Sequence, residues 1–392
     1  MIYLDNAATT RIKPEVLEAM MPYLTDNFGN AGGLYRLGRE SAEAIEQARK
    51  QVASLFGCDP KHVIFTSGGT ESNNMVFAGT RIWREHAGRP RLACSSIEHD
   101  SVYRNVMTRD TSPYVLRPSA RGIISVPNTA LPEEVGLLSV MYVNNETGVT
   151  NPVKDLSRWA HASGALFHTD CVQATGLHDL NVKMLGDPDF VSISAHKIHG
   201  PKGMGALYIK DPDKFIPMIK GGYYQEYGLR GGTENVAGIV GFGAACQLLM
   251  ENRYAYSNTV SRNTDRFISA LTIWMRNKGL RRIMTINGSN STYPSRVINV
   301  RFEGVDAETL LLLLDDKGIC ASAGSACHSH SSTQSRTLLE MGLSETNARN
   351  SVRFSFDDTL TEADLGEAAK QVADAVEVLH KMYLKNLQKQ KS

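Results

Sequence analysis

Cysteine is scarce and badly spaced for cross-linking: the six cysteines, at 58, 94, 171, 246, 320 and 327, form neither a CxxC nor a CxxH pair. That argues against a structural zinc framework and a disulfide scaffold, and no metal site is expected. A dominant charge is missing as well. Forty-two Lys and Arg against 41 Asp and Glu leave a formal net charge of +1, so a polyanion is not the expected ligand and no direct nucleic-acid binding is expected. The longest apolar stretches, residues 236–246 and 310–314, are too short or too broken by glycine to span a bilayer. The opening Met1-Ile2-Tyr3-Leu4-Asp5 lacks the basic-then-apolar order of a secretory leader. No internal repeat or low-complexity segment is evident. The expectation is a cytoplasmic protein of a reducing compartment, with no membrane attachment.

What is present is a chain of 392 residues, 42% hydrophobic, long enough to bury a large core in two domains. Pro14 opens a helical pattern, and Ala42, Ile45, Ala48, Val52 and Leu55 repeat at helical spacing before Gly57. Strands are expected at 63–65, 91–95, 137–143, 165–168 and 190–194, with helices after Thr70 and Asp100 and over 152–163. That alternation predicts an α/β fold with a mostly parallel sheet between helices. A helix around 234–251 runs into a polar segment, 252–266, read here as the boundary to a smaller α+β domain. The expected division is a large domain over 12–252 and a small one from 1–11 and 253–392.

The polar clusters fall after strands, where parallel sheets bind ligands. Ser194-Ala195-His196-Lys197 follows the apolar run Phe190-Val191-Ser192-Ile193 and ends in a Gly-Pro-Lys-Gly loop. Desolvation at such a place lowers a lysine's pKa and makes its amine nucleophilic, able to form a Schiff base. Asp170 ends a second strand. A Schiff-base lysine with an aspartate that can pair a pyridinium nitrogen is what pyridoxal phosphate chemistry requires. Thr66-Ser67-Gly68-Gly69-Thr70 reads equally as a phosphate cradle at a helix start or as an N-cap. His99 suits ring stacking and proton transfer or a structural role; Asn144-Asn145 suits an amide contact or an Asn-rich turn. Asp170 and Gln173 share a face if the strand turns into a helix, although an N-cap aspartate gives the same pattern.

Taken in order, Leu4-Asp5-Asn6-Ala7-Ala8-Thr9-Thr10, Thr66–Asn73, Glu98-His99, Val143-Asn144-Asn145-Glu146, Asp170-Cys171-Val172-Gln173, Ser194-Ala195-His196-Lys197 and Gly324-Ser325-Ala326-Cys327 resemble the cysteine desulfurases of the NifS/IscS type. The resemblance covers essentially the whole chain. It implies the pyridoxal phosphate fold type I, aspartate-aminotransferase-like, and a homodimer that converts L-cysteine to L-alanine. Lys197 would carry the coenzyme and move the Cα proton; Asp170 would protonate its pyridine; His99 would stack on it. Gln173 and Asn145 would bond the ring oxygen, and Gly69, Thr70, Ser194 and His196 the phosphate. Thr233 would reach the phosphate of the partner subunit, while Arg353, with Asn145, would hold the substrate carboxylate. Cys327, in a loop over about 320–335, would take the sulfur as a persulfide and pass it to an acceptor protein. The loop's length resembles the long-loop group.

Four stretches depart from that pattern. Tyr35 stands where the family has a histidine, Tyr223-Tyr224 replace glycines, His328-Ser329 follow the nucleophile with His330 nearby, and Asp357-Asp358-Thr359 follow Arg353-Phe354-Ser355. These suggest a specialised branch with its own acceptor, such as the sulfur donors for DNA phosphorothioation, rather than general iron–sulfur assembly. His328 and His330 read equally as imidazoles that, when protonated, lower the Cys327 pKa or as two solvated loop histidines. The alternatives are a selenocysteine lyase or another enzyme of the same fold, and a sulfur-relay protein with little turnover of its own.

Overall fold

Strand β1 (Ile2–Tyr3) is followed by α1 (Pro14–Leu24), which starts on its proline, and α2 (Arg36–Phe56). Helix α2 buries Ile45, Ala48, Val52 and Leu55 as their spacing predicts, and it ends at Gly57, where a φ of +61° favours glycine. The computed structural model describes residues 1–288, 295–324 and 334–391.

The alternating middle of the chain folds as β2 (Val63–Thr66), α3 (Gly69–Gly79), α4 (Arg81–His86), β3 (Arg91–Ser95), α5 (Asp100–Arg109), β4 (Tyr114–Leu116), β5 (Val135–Ser139), α6 (Val153–Ala162), β6 (Leu166–Asp170), β7 (Phe190–Ser194) and β8 (Gly205–Ile209). These strands make one seven-stranded sheet in the order β2-β8-β7-β6-β5-β3-β4, with β8 antiparallel to both neighbours and the remaining pairs parallel. Alternate residues feed separate cores on the two faces. Val63 and Phe65 pack on one side with Val191 and Ile193, and Ile64 packs on the other with Phe190.

Helix α7 (Val236–Asn277) runs through the polar segment 252–266. Tyr256, Val260, Asn263 and Phe267 are buried at helical spacing along it, while the charged residues Arg262, Asp265 and Arg266 face outward. The one irregular residue inside α7 is Asn252, at φ −125° and ψ 15°. A further core lies beyond it, where Phe267 and Leu271 meet β9 (Met284–Asn287), β10 (Val297–Phe302), α8 (Ala307–Asp316) and, after β11 (Ile319–Cys320), α9 (Arg336–Glu340) and α10 (Glu345–Arg349), the elements β12 (Ser351–Ser355) and α11 (Glu362–Lys391). Strands β12-β10-β9 form an antiparallel sheet.

The first ten residues tie these parts together. Strand β1 pairs with β11 in parallel, the Ala7 N–H donates to Ser355 Oγ (2.8 Å), and the Thr10 N–H donates to the His196 carbonyl (2.9 Å). Among the described residues no helix is long and apolar enough to cross a membrane.

Candidate active site

The carboxyl ends of β2, β3, β6 and β7 converge on a cavity of about 230 Å³. Its walls include Gly69, Thr70, His99, Asn145, Asp170, Gln173, Ser194, His196, Lys197 and Arg353. Ten residues picked from separate stretches of sequence therefore meet at one place. Thr233 does not line this cavity and is exposed. Cys327, His328 and His330 lie outside the described residues.

At one end the chain leaves β2 through Gly68, whose φ of +152° is tolerated by glycine and few others, and enters α3 at Gly69. A Cβ on Gly69 would come within 2.7 Å of Val172 Cγ2, so glycine here permits the close approach of helix start and β6 turn. The free N–H groups of the helix start, with Thr70, Ser194 and His196 beside them, form an anion cradle. Burial, helped by Lys197 and Lys202, lowers His196 to about 4, so its imidazole is neutral near pH 7. Glu71, one turn into the helix, takes the Ser67 N–H (2.7 Å) and Arg230 Nε (2.9 Å). Burial raises its pKa, but those donors outweigh it and hold the carboxyl below its usual range.

Lys197 follows β7 on a short 3₁₀ turn and is 8% exposed. Its Nζ donates to the carbonyls of Ala7 and Ala8, both at 2.6 Å. Arg296, buried at 1% exposure, donates to the Lys197 carbonyl (2.6 Å) and to that of Thr175 (2.9 Å), fixing the turn from below. Asp170 Oδ1 accepts the Val172 N–H (2.9 Å), as an aspartate that opens a turn does. Its Oδ2 accepts from Asn73 Nδ2 at 2.8 Å. Asn73 also donates to Ser101 Oγ (2.9 Å).

His99 caps α5: its Nδ1 accepts from the Ser101 N–H at 3.1 Å, which leaves the ring proton on Nε2 in the neutral form. Glu98, fully buried behind it, takes hydrogen bonds from Ser95 Oγ and the Met141 N–H (2.9 Å). Burial pushes its carboxyl up to about 8, with Asp170 adding to the rise. Strand β5 stops at Ser139, four residues short of the expected 143. The N–H groups of Val140 and Tyr142 still reach the carbonyls of His168 and Asp170 (3.1 and 3.0 Å), but Asn144 then folds the chain into a turn. Its Oδ1 accepts the N–H groups of Glu146 (3.0 Å) and Thr147 (2.9 Å). Of the adjacent pair, Asn144 builds the turn and Asn145 faces the cavity.

Gln173 Nε2 donates to the Ala7 carbonyl (2.9 Å), and its buried Oε1 has no partner. Arg353 donates to Asp5 Oδ1 (2.8 Å) and to the Asn145 carbonyl (2.9 Å), leaving a buried Nε–H without a partner. Two groups in the cavity wall are thus left for a ligand to complete.

Sequence reasoning missed Asn73 and Arg296. Asn73 lies four residues after Gly69 on α3, so helical spacing would have pointed it toward the same cavity. Arg296 is 99 residues from the lysine it holds, and nothing local marks it. Cys94, Cys171 and Cys246 are buried, and burial raises their thiol pKa well above the usual range, as inert packing residues require. The departures Tyr35, Tyr223 and Tyr224 are exposed. The loop of the last two is pinned by Gln225 Oε1, which accepts the N–H groups of Gly222 (3.0 Å) and Gly232 (2.8 Å). Glu226 and Tyr227 hold left-handed conformations (φ 45° and 55°) behind a two-pronged Arg49–Glu226 bond of 2.7 and 2.8 Å.

A sequence profile for class-V aminotransferases matches residues 2–367. A cysteine desulfurase of Gluconacetobacter diazotrophicus is 37% identical over 390 residues, 97% of this chain and 94% of its own. A solved NifS-like protein superposes with a TM-score of 0.86 at 29% identity, covering 96% of this chain and 99% of its own. The crystal structure of DndA from Streptomyces lividans gives 0.74 at 32% identity, over 91% of this chain and 99% of its own.

Proposed function

Because the chain belongs to the class-V aminotransferase family and matches cysteine desulfurases over nearly its full length, we propose that it is a pyridoxal phosphate-dependent cysteine desulfurase. It takes L-cysteine to L-alanine and passes the sulfur to Cys327. The observation that carries this reading is the meeting of Lys197, Asp170, His99 and Arg353 around one cavity. The residues present fit the coenzyme: a glycine cradle at a helix start that a Cβ would fill, a carboxylate and an amine around one cavity. Gly69, Thr70, Ser194 and His196 would hold its phosphate, and Asp170 its pyridine nitrogen. His99 would stack on the ring, and Gln173 with Asn145 would meet the ring oxygen. Bound pyridoxal phosphate supplies an electron sink for negative charge at the substrate Cα.

The chain's own part is positional. Lys197 Nζ takes and returns the Cα proton, held in place by the Ala7 and Ala8 carbonyls and by Arg296 beneath its backbone. Asp170 keeps a proton on the pyridine nitrogen while Asn73 and the Val172 N–H orient its oxygens. Arg353 offers its unpartnered Nε–H to the substrate carboxylate from a guanidinium already fixed by Asp5 and Asn145. The Cys327 thiolate attacks the substrate sulfur, and the S–S bond forms as the Cβ–S bond breaks. The electron pair of the broken bond stays with the carbon, which takes a proton and leaves as alanine, and the persulfide remains on Cys327.

The exposure of Thr233, away from this cavity, suits its reach to a partner subunit, and we take the working unit to be a cytoplasmic homodimer. Residues 12–252 would form the coenzyme-binding domain, with 1–11 and 253–392 the smaller one that bears the sulfur. The acceptor is a protein. The likeness to DndA, with the departures at Tyr35 and Tyr223-Tyr224, favours a specialised acceptor over a general one.

The test is a pair of variants assayed for alanine and for persulfide. Lys197→Ala loses both by a factor of about 10⁴. Cys327→Ser keeps the coenzyme's visible absorbance but makes no persulfide. Sulfide release by Cys327→Ser at the wild-type rate would sink the reading in favour of a lyase.

A further inference from the structure

Successive residues of the lysine turn point into different cavities. His196 and Lys197 line the one described above; Ile198 and His199 line a second, of about 320 Å³, between α1 and α7. Three groups in or beside it are buried and lack a hydrogen-bond partner of good geometry: His199 Nε2, Asp358 Oδ1 and the Tyr256 hydroxyl. We propose that this second cavity is a site for one divalent transition-metal ion, held by His199 Nε2 and by carboxylate oxygens of Asp357 and Asp358.

His199 is 3% exposed, and its Nδ1 sits 3.0 Å from the Arg11 carbonyl. A carbonyl can only accept, so Nδ1 carries a proton and Nε2 is the ring nitrogen left to bind an ion, which would take the place of a proton shared there with Asp358. An N–H donated to a backbone carbonyl is the arrangement that orients metal-ligating imidazoles. His199 Nε2 lies 3.4 Å from Asp358 Oδ1, long for a hydrogen bond. Two ligand atoms on a tetrahedral ion with bonds near 2.1 Å are separated by about 3.4 Å. One ligand atom from each of His199, Asp357 and Asp358 lies within 4.8 Å of the others.

Lys13 occupies the other oxygen of Asp358, Oδ2, at 3.0 Å and leaves Oδ1 facing His199. Glu15, Asp357 and Asp358 then set three carboxylates against the one ammonium of Lys13, a balance that favours a cation. One imidazole with carboxylates suits zinc, cobalt or nickel better than magnesium or calcium, which prefer all-oxygen shells. The Tyr256 hydroxyl, 6% exposed as a residue, would hold a water on the open side of the ion. An ion here would stiffen the turn two residues beyond Lys197.

The test is a titration of holoenzyme carrying Cys327→Ser, which removes the sulfur-accepting thiol as a competing ligand, with cobalt(II). Expected is one ion per chain with visible ligand-field bands, and an X-ray absorption shell of nitrogen and oxygen without sulfur. His199→Gln should weaken binding by about 100-fold or more, and Asp358→Asn by at least about 10-fold. The proposal fails if no ion binds at about millimolar cobalt, if sulfur appears in the shell, or if His199→Gln with its coenzyme absorbance intact binds as before. Should either variant misfold, the shell measured on the unaltered ligand set still decides.

Discussion

The two cavities beside the lysine turn treat their carboxylates in opposite ways. In the first, Asp170 and Glu98 take hydrogen bonds from neutral groups: an amide side chain, a hydroxyl and backbone N–H. In the second, Asp358 lies against Lys13 and His199. Burial drives Glu98 up to about 8. Burial also raises Asp358, but His199 and Lys13 overcome it and bring the carboxyl down to about 2. The first site holds its cations Lys197 and Arg353 on the carbonyls of Ala7, Ala8 and Asn145 and serves its buried carboxylates with neutral donors; a site at the junction of two helices and a turn can use a cation as a fastener.

The signs of these shifts give the comparison a test in pH. Glu98 is protonated in the folded state up to about 8 and ionises near 4.5 when unfolded, so its presence lowers stability progressively as pH rises between those values. Glu98→Gln should remove that decline. The variant should match wild type near pH 4.5 and gain a few kcal/mol by pH 8, read as a higher thermal midpoint. Equal midpoints at pH 8 would show that Glu98 ionises freely.

A smaller effect is expected from Asn73→Ala, which takes one neutral donor from Asp170 Oδ2. Turnover should drop by about 10- to 100-fold and the coenzyme should be released more readily, since a hydrogen bond to a charged group contributes about 1.5–3 kcal/mol. An unchanged rate would mean that the Val172 N–H alone orients Asp170.

The smallest belongs to the second cavity. Asp358 ionises at about 2 when folded and 3.8 when unfolded, so its contribution is present above about pH 4 and lost as pH falls through 2. Its side chain is 26% exposed and that of Lys13 32%, so solvent screening leaves about 1 kcal/mol. Asp358→Asn, in metal-free protein, should lower the midpoint slightly at pH 6 and not at all near pH 2. A large loss at pH 6 would contradict the comparison.

How far the sequence could be read follows from the range of the interactions. Many of the cavity-lining residues lie at or just after the end of a strand or at the start of a helix, so short motifs pointed to Gly69, His99, Asp170 and Lys197. The Asn252–Arg266 stretch was opaque because its buried set, Tyr256, Ser257, Val260, Asn263 and Thr264, is mostly polar, so its helical spacing carries little hydrophobic signal. Asn144 and Asn145 could not be told apart, since the roles of turn builder and cavity wall follow from where β5 stops. Arg296 and the His199–Asp358 pair were invisible for a different reason: their partners lie about a hundred residues or more away.

The order of synthesis gives the N-terminal decapeptide an unusual position. Ala7 and Ala8 supply the acceptors for the amine at 197, yet the backbone around them is held by Cys320 and Ser355, which leave the ribosome after the lysine does. A nascent chain therefore carries both the lysine and its acceptor carbonyls before the segments that hold those carbonyls in place have been made. Catalytic competence waits on parts of the chain made well after the lysine itself.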